Sequence, residues 1–220
     1  MKLLTVALAS GALLLSGVAA APAQKPPKPT GPQDVTLTAG ANPITFSTPL
    51  TLSGDVKGAK AGVVVTLQER AVPATAFVVV ATTSTDDKGG YTFSRRPRVN
   101  TTYRVVTGAQ PPAQSADLLV RVRPLVGFRA SDTTPSRGER VLFAGTVRPD
   151  HDGRTVSIQR KRPDGSFATL ARTRLRDAGR VYSRYSRRVT VRRTGTYRIR
   201  IVGHDDHAMG TSRERTLTVR

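Results

Sequence analysis

All three histidines of this 220-residue chain lie in two short acidic segments, Pro149-Asp150-His151-Asp152-Gly153 and Gly203-His204-Asp205-Asp206-His207. Imidazole nitrogen combined with carboxylate oxygen suits zinc, copper or nickel, and carboxylates alone would suit calcium. His151, Asp152, His204, Asp205 and His207 are therefore candidate ligands of a divalent metal. The same residues also read as plain turn formers, since Asp and Gly favour reverse turns and a loop histidine needs no ligand. No other cofactor is indicated.

Catalytic chemistry has less to work with. The chain has no cysteine, no G-x-S-x-G elbow and no H-E-x-x-H helix, and no serine sits in a recognisable triad. Its glycines fall in hairpin positions rather than between a strand and a helix, where a phosphate-binding loop would need them. The expectation is a protein without enzymatic activity and without catalytic residues.

Charge gives the stronger signal. Lys and Arg number 35 against 15 Asp and Glu, a formal +20. Residues 124–220 hold 22 basic and 9 acidic residues, whereas residues 25–123 hold 12 and 6. Arginine forks match the oxygens of phosphate and carboxylate groups. Edge and surface strands also carry charge merely to block aggregation, so net charge speaks to association rather than to fold. A specific nucleic-acid partner is disfavoured, because aromatics are only 5% and no recognisable nucleic-acid module is present.

The elements that must position these groups are written twice. LTLSGDV at 50–56 aligns with VLFAGTV at 141–147, and AGVVVTLQER at 61–70 with DGRTVSIQRK at 152–161, both at an offset of 91. Phe77 then matches Phe167, and VNTTYRVVTG at 99–108 is a weaker copy of RRTGTYRIRIVG at 192–203, with Tyr103 against Tyr197. The constant order of matched features marks an internal duplication. Within each copy apolar residues alternate with polar ones, as in Val156 and Ile158 against Thr155, Ser157 and Gln159. Such a period of two belongs to half-buried strands, and the Gly, Pro, Asp and Asn between them to turns. The fold class expected is all-β, two tandem β-sandwiches with no helix in the mature chain.

Thr194-Gly195-Thr196-Tyr197-Arg198-Ile199 and its copy Thr102-Tyr103-Arg104-Val105 resemble the tyrosine corner of immunoglobulin-like domains. Ile199 and Val105 stand where antibody domains carry a cysteine, and the chain has no tryptophan. The repeat is thus similar to the bacterial immunoglobulin-like repeats of secreted and surface proteins, over roughly residues 34–220. The resemblance implies a non-catalytic spacer, adhesin stalk or binding module. It also implies that Tyr103 and Tyr197 are structural and hydrogen-bond back to the backbone.

On that layout strands C and F share a sheet, and a C′ strand would join them. Arg198 and Arg200 on strand F, Arg172, Arg174 and Arg176 in LARTRLR, and Lys161 on strand C would form one outward basic face. The B–C and F–G loops lie at one end of such a sandwich, so the three histidines and their neighbouring aspartates would converge there.

The domain expectation is a signal peptide over 1–20, a Pro- and Lys-rich linker over 21–33, and immunoglobulin-like domains over 34–123 and 124–220. Lys2, the apolar stretch Leu3 to Leu15 and the small residues Ser16 to Ala20 have the form of an export signal. Nothing later in the chain is long and apolar enough for a transmembrane segment. The protein is expected to be secreted, extracellular and associated with the cell wall. Its expected function is a cell-envelope binding or structural module held by charge to an anionic wall polymer. The alternative is an accessory subunit docking a protein partner through loops or strand edges.

Overall fold

The computed structural model describes residues 34–108 and 111–220; the expected signal peptide and linker lie outside the described residues. The described residues form strands and turns, with no helix among them. In the first half, Thr38–Ala39, Leu50–Asp55 and Gly90–Arg95 make a three-stranded sheet. Facing it is a four-stranded sheet in the order Val78–Ser84, Val64–Ala71, Thr101–Thr107, Leu118–Val120. The second half repeats this plan. Leu125–Val126, Glu139–Arg148, Ser183–Val191 and Arg176–Asp177 lie side by side in one sheet, with Arg129–Ala130 also on Glu139–Arg148. Phe167–Arg174, Thr155–Lys161 and Gly195–Ile201 follow one another in the other, closed by Gly210–Thr211 and Arg215–Leu217.

Alternation in the sequence is alternation in burial. Tyr197, Ile199 and Ile201 are buried while Arg198 and Arg200 are not, and Tyr103 and Val105 repeat the pattern. Two separate apolar clusters result. One gathers Leu50, Leu52, Val65, Leu67, Tyr103 and Val105, and the other Val141, Phe143, Val156, Ile158, Ile199 and Ile201. Each draws on both facing sheets, which is where a sandwich keeps its apolar sides. The copies agree even in an irregularity: a bulge interrupts the pairing between Leu67 and Gln68 and again between Ile158 and Gln159.

A second repeated device holds the sheet edge. Gly54 lies opposite Tyr91, and Gly145 opposite Tyr185. The Tyr185 hydroxyl crosses its glycine to donate to the Gly127 carbonyl at 2.7 Å, and Tyr91 donates likewise to Thr36. Both phenols are shielded from water; burial pushes Tyr91 up to about 12, with the Asp55 charge adding to the effect, and raises Tyr185 as well. These tyrosines stand 94 residues apart, as Tyr103 and Tyr197 do, so the sequence carried a signal for them.

The tyrosines expected to bond back to the backbone differ from each other. Tyr197 does so, reaching the Arg193 carbonyl at 3.4 Å. Tyr103 does not: among the described residues its buried hydroxyl makes no hydrogen bond of ordinary geometry, although it lies beside Glu69 and Arg95. Its cross-strand neighbour is Glu69, which is ion-paired with Arg95 at 2.9 Å. Burial first, and the Glu69 charge second, push its phenol up to about 12. Tyr185→Phe should therefore lower stability by about 1 kcal/mol, whereas Tyr103→Phe should be neutral or slightly stabilising, because it removes an unsatisfied polar atom. Urea denaturation midpoints of the two variants check this, and an equal loss in both would contradict it.

Hydrogen bonds cross between the halves beside the short join. Val122 packs in the first cluster and Val126 in the second, with Pro124 between them. Asn100, buried, receives the Val122 N–H on its side-chain oxygen at 2.8 Å and donates from Nδ2 to the Asp205 carbonyl at 2.8 Å. Its own N–H donates to the Asp206 carbonyl at 2.7 Å, and the Ala208 N–H to Val122 at 2.8 Å. The 203–209 loop of the second half is thereby tied to the first.

Candidate functional sites

Registry decides the basic face. Arg172 lies opposite Ser157, which lies opposite Arg200, so the three form one row across three strands. Two strand spacings separate the arginine backbones by about 10 Å. Arg174 lies opposite Thr155 on the same side. Val156 and Ile158 point to the core, which sends Thr155, Ser157 and the arginines outward. Among the described residues, none of Arg172, Arg174 and Arg200 is in an ion pair, although Arg200 Nε donates to the Met209 sulfur at 2.9 Å. The first-half positions corresponding to Arg172, Arg174 and Arg200 are Thr82, Ser84 and Val106. The basic row is thus an addition to the repeated plan.

Two other expected members of the face are already engaged. Arg198 stacks its guanidinium 3.5 Å over the Phe167 ring and donates to Gln159 at 2.9 Å. Arg104, Phe77 and Gln68 repeat that brace at 3.9 Å and 2.7 Å. An arginine spent this way in both copies roofs its sheet and shields the amide, which leaves Gln159 buried despite its outward direction. Lys161 pairs with Glu214 at 3.2 Å.

Arg176 is not on this face, which corrects the reading of LARTRLR as one strand. Leu175 turns into the core and exchanges backbone hydrogen bonds with Gly153 and Arg154. Burying that leucine breaks the alternation and carries the chain across to the opposite sheet, where Arg176 pairs with Arg184.

The histidine loops meet at the join, but with a membership different from the expected one. His151 and His207 are both buried, with ring centroids 4.8 Å apart. His151, Asp206 and His207 each bring a potential ligand atom, and these atoms all lie within 4.8 Å of one another. His204 and Asp205 are exposed and outside this group. A tight turn explains it: His204 and His207 exchange backbone hydrogen bonds at 2.7 and 3.3 Å, and the chain reversal sends one side chain in and the other out. Asp152 is also outside it, because its carboxylate takes the Ser183 hydroxyl at 2.6 Å. Asp150 accepts from the same hydroxyl at 2.6 Å, and that hydrogen bond helps hold its carboxyl below the usual range. A hydroxyl has one hydrogen, so Ser183 serves the two carboxylates in turn.

Within the group, His151 Nδ1 contacts the Pro149 carbonyl and His207 Nε2 the Arg98 carbonyl, each at 2.8 Å. Asp206 Oδ2 lies 3.1 Å from His207 Nδ1, and Asp206 Oδ1 lies 3.5 Å from Arg154. Burial alone would raise the Asp206 carboxyl, but His207 and Arg154 outweigh it and hold the group low. Burial keeps His151 below its ordinary value, although the Pro149 carbonyl works the other way. Asp206 was among the aspartates expected to converge but not among the named ligands, and Asn100, which anchors the loop, lies outside the group. Asp206 was in the acidic run but indistinguishable from Asp205, and Asn100 carries no local signal at all.

No family model matches this chain, and no curated protein matches it in sequence. Among solved structures, a transglutaminase of red sea bream is similar at 10% identity and a TM-score of 0.46, over 87% of this chain and 32% of that one. A tetra-tandem repeat from the extending region of a large adhesion protein is similar at 14% identity and a TM-score of 0.36, over 84% and 49%. The chain therefore spans about a third of one and half of the other, and at these scores neither likeness assigns an activity. The expectation of a protein without enzymatic activity is not upheld: one of these similar structures, the transglutaminase, is an enzyme.

Proposed function

We propose that this chain is an exported, envelope-associated binding module of two immunoglobulin-like sandwiches, the second of which holds an acidic wall polymer by charge. The observation that carries the reading is the row Arg172–Ser157–Arg200 with Arg174 beside it, free of ion pairs and absent from the first copy. Unpaired guanidinium groups on a flat, hydroxyl-bearing sheet suit repeated phosphate or carboxylate groups better than a single small ligand. The formal charge of +20 would add attraction over longer range.

The test is co-sedimentation with purified wall material. Reversing Arg172, Arg174 and Arg200 to Glu should weaken binding on the order of 100-fold, taking up to ~1 kcal/mol for each exposed pair lost. The fold should survive, because outward surface changes cost little. Binding by the parent should also fall with salt, as exposed charges are screened over about 8 Å at physiological ionic strength. Reversing Lys57, Lys60 and Lys88 applies a charge change of the same size to the first half. Equal losses in both variants would mean diffuse attraction without a site, and no binding by the parent at low salt would remove the proposal.

A second reading has one observation in its favour. Val78–Ser84 is an edge strand whose Val78 and Val79 are 56% and 62% exposed. An open edge with uncovered valines is a template for strand addition by a protein partner. Binding abolished by Val79→Lys and unaffected by the arginine reversals would favour it.

A further inference from the structure

The His151–Asp206–His207 group has a charge problem that a neutral His207 ring does not solve. His207 Nε2 must carry a hydrogen to donate to the Arg98 carbonyl, since a carbonyl oxygen only accepts. In a neutral ring that leaves a lone pair on Nδ1. This atom is buried, lacks a hydrogen-bond partner and faces the Asp206 carboxylate at 3.1 Å. A lone pair set against an anionic oxygen is repulsive unless a cation lies between them.

The surroundings are arranged for that cation to be a metal. His151 points the same way: its Nδ1 is taken by the Pro149 carbonyl, leaving Nε2 as the free ring nitrogen. Metal-binding histidines almost always fix their second nitrogen to a carbonyl or carboxylate in this manner, and ligating carboxylates are themselves held by a further partner. Arg154 stands in that relation to Asp206, 3.5 Å from the oxygen that faces away from His207. A tetrahedral zinc with bonds of about 2.0–2.1 Å sets its ligands about 3.4 Å apart. The Nδ1–Oδ2 pair is already at 3.1 Å, and the other separations, none above 4.8 Å, must close by up to about 1.4 Å.

We propose that His151, Asp206 and His207 bind one divalent transition metal, zinc foremost, with a fourth position left to water, and that the metal rivets the 203–209 loop at the join between the halves. Two nitrogens and one oxygen exclude calcium, which takes oxygen ligands, and agree with zinc, copper or nickel. The location gives the metal a mechanical role. His207 carries both the free Nδ1 and the contact to Arg98, and its loop receives the hydrogen bonds of Asn100. Fixing His207 against His151 therefore fixes the loop that spans to the first half.

The experiment is calorimetric titration of chelator-stripped full chain with Zn²⁺, together with the visible spectrum after Co²⁺ addition. The expected result is one site at micromolar affinity or better, tetrahedral cobalt bands, and a melting temperature that rises with zinc concentration. His207→Ala should weaken zinc about 100-fold or more. Asp206→Asn, which keeps the shape and removes only the charge, should weaken it at least about 10-fold. His204→Ala, in the same loop but outside the group, should bind as the parent does. The proposal is overturned by the absence of saturable binding at millimolar zinc, in which case a proton on His207 is the cation facing Asp206. It is equally overturned if Asp206→Asn and His207→Ala bind zinc like the parent.

Discussion

Gly145→Ala is expected to cost about 3 kcal/mol, among the largest effects of any single methyl group in this chain. A Cβ at that position would enter the carbonyl of Gly127, in the link between the neighbouring strands Leu125–Val126 and Arg129–Ala130, and sit 2.6 Å from the Tyr185 hydroxyl. The tyrosine could swing away and lose its hydrogen bond, but the carbonyl is backbone and can move only if the strand peels off. Overpacking of this kind costs about 1–3 kcal/mol, and more where the obstacle is rigid. Gly54→Ala should behave alike, for its Cβ would enter the Thr36 carbonyl and lie 2.6 Å from the Tyr91 hydroxyl. Gly153→Ala meets no atom within 4 Å and bears only the strain of its positive φ, so about 1 kcal/mol is expected there. Urea denaturation followed by circular dichroism separates these values. Adding Tyr185→Phe to Gly145→Ala should restore little, since the backbone clash remains. Near-parental stability of Gly145→Ala would contradict the closeness of the two strands.

Asn100→Ala should cost about 2–3 kcal/mol, which is large for a loop residue. The substitution removes the acceptor of the buried Val122 N–H and the donor to the Asp205 carbonyl together. Leaving a buried donor unsatisfied costs about 1–3 kcal/mol, beyond the loss of the bond itself. The backbone bond from residue 100 to Asp206 is retained, so the loop should loosen rather than detach. Hydrogen exchange gives the sharper readout: protection of the Val122 and Ala208 amides should fall, while that of the central strand amides at Val105 and Ile199 should follow global stability alone. Unchanged exchange at Val122 would mean that the join is held by packing rather than by this side chain.

Alternation, turn residues and the 91-residue offset were enough to read an all-β repeated chain from its residues, because side-chain direction in a strand is a local property with a period of two. The same period places Arg172, Arg174, Arg198 and Arg200 on one outward face. It failed at Leu175, where the core has room for one more side chain and burial overrode the local pattern, taking Arg176 to the opposite sheet. Whether an outward arginine is free also escaped local reading. Arg198 is spent on Phe167 and Gln159, and those partners come from strands 30 or more residues away in the chain. The histidine loops were brought to one end by strand order, which residue patterns could anticipate. The choice of Asp206 over Asp205, and of His207 over His204, was made by a four-residue turn pressed against Arg98 and Asn100 of the other half. That selection depends on how two repeats meet, and the surfaces that meet are far apart in sequence. Local periodicity determined the strands and their faces; only tertiary contact decided which polar groups are satisfied, which remain free, and which two histidines share a site.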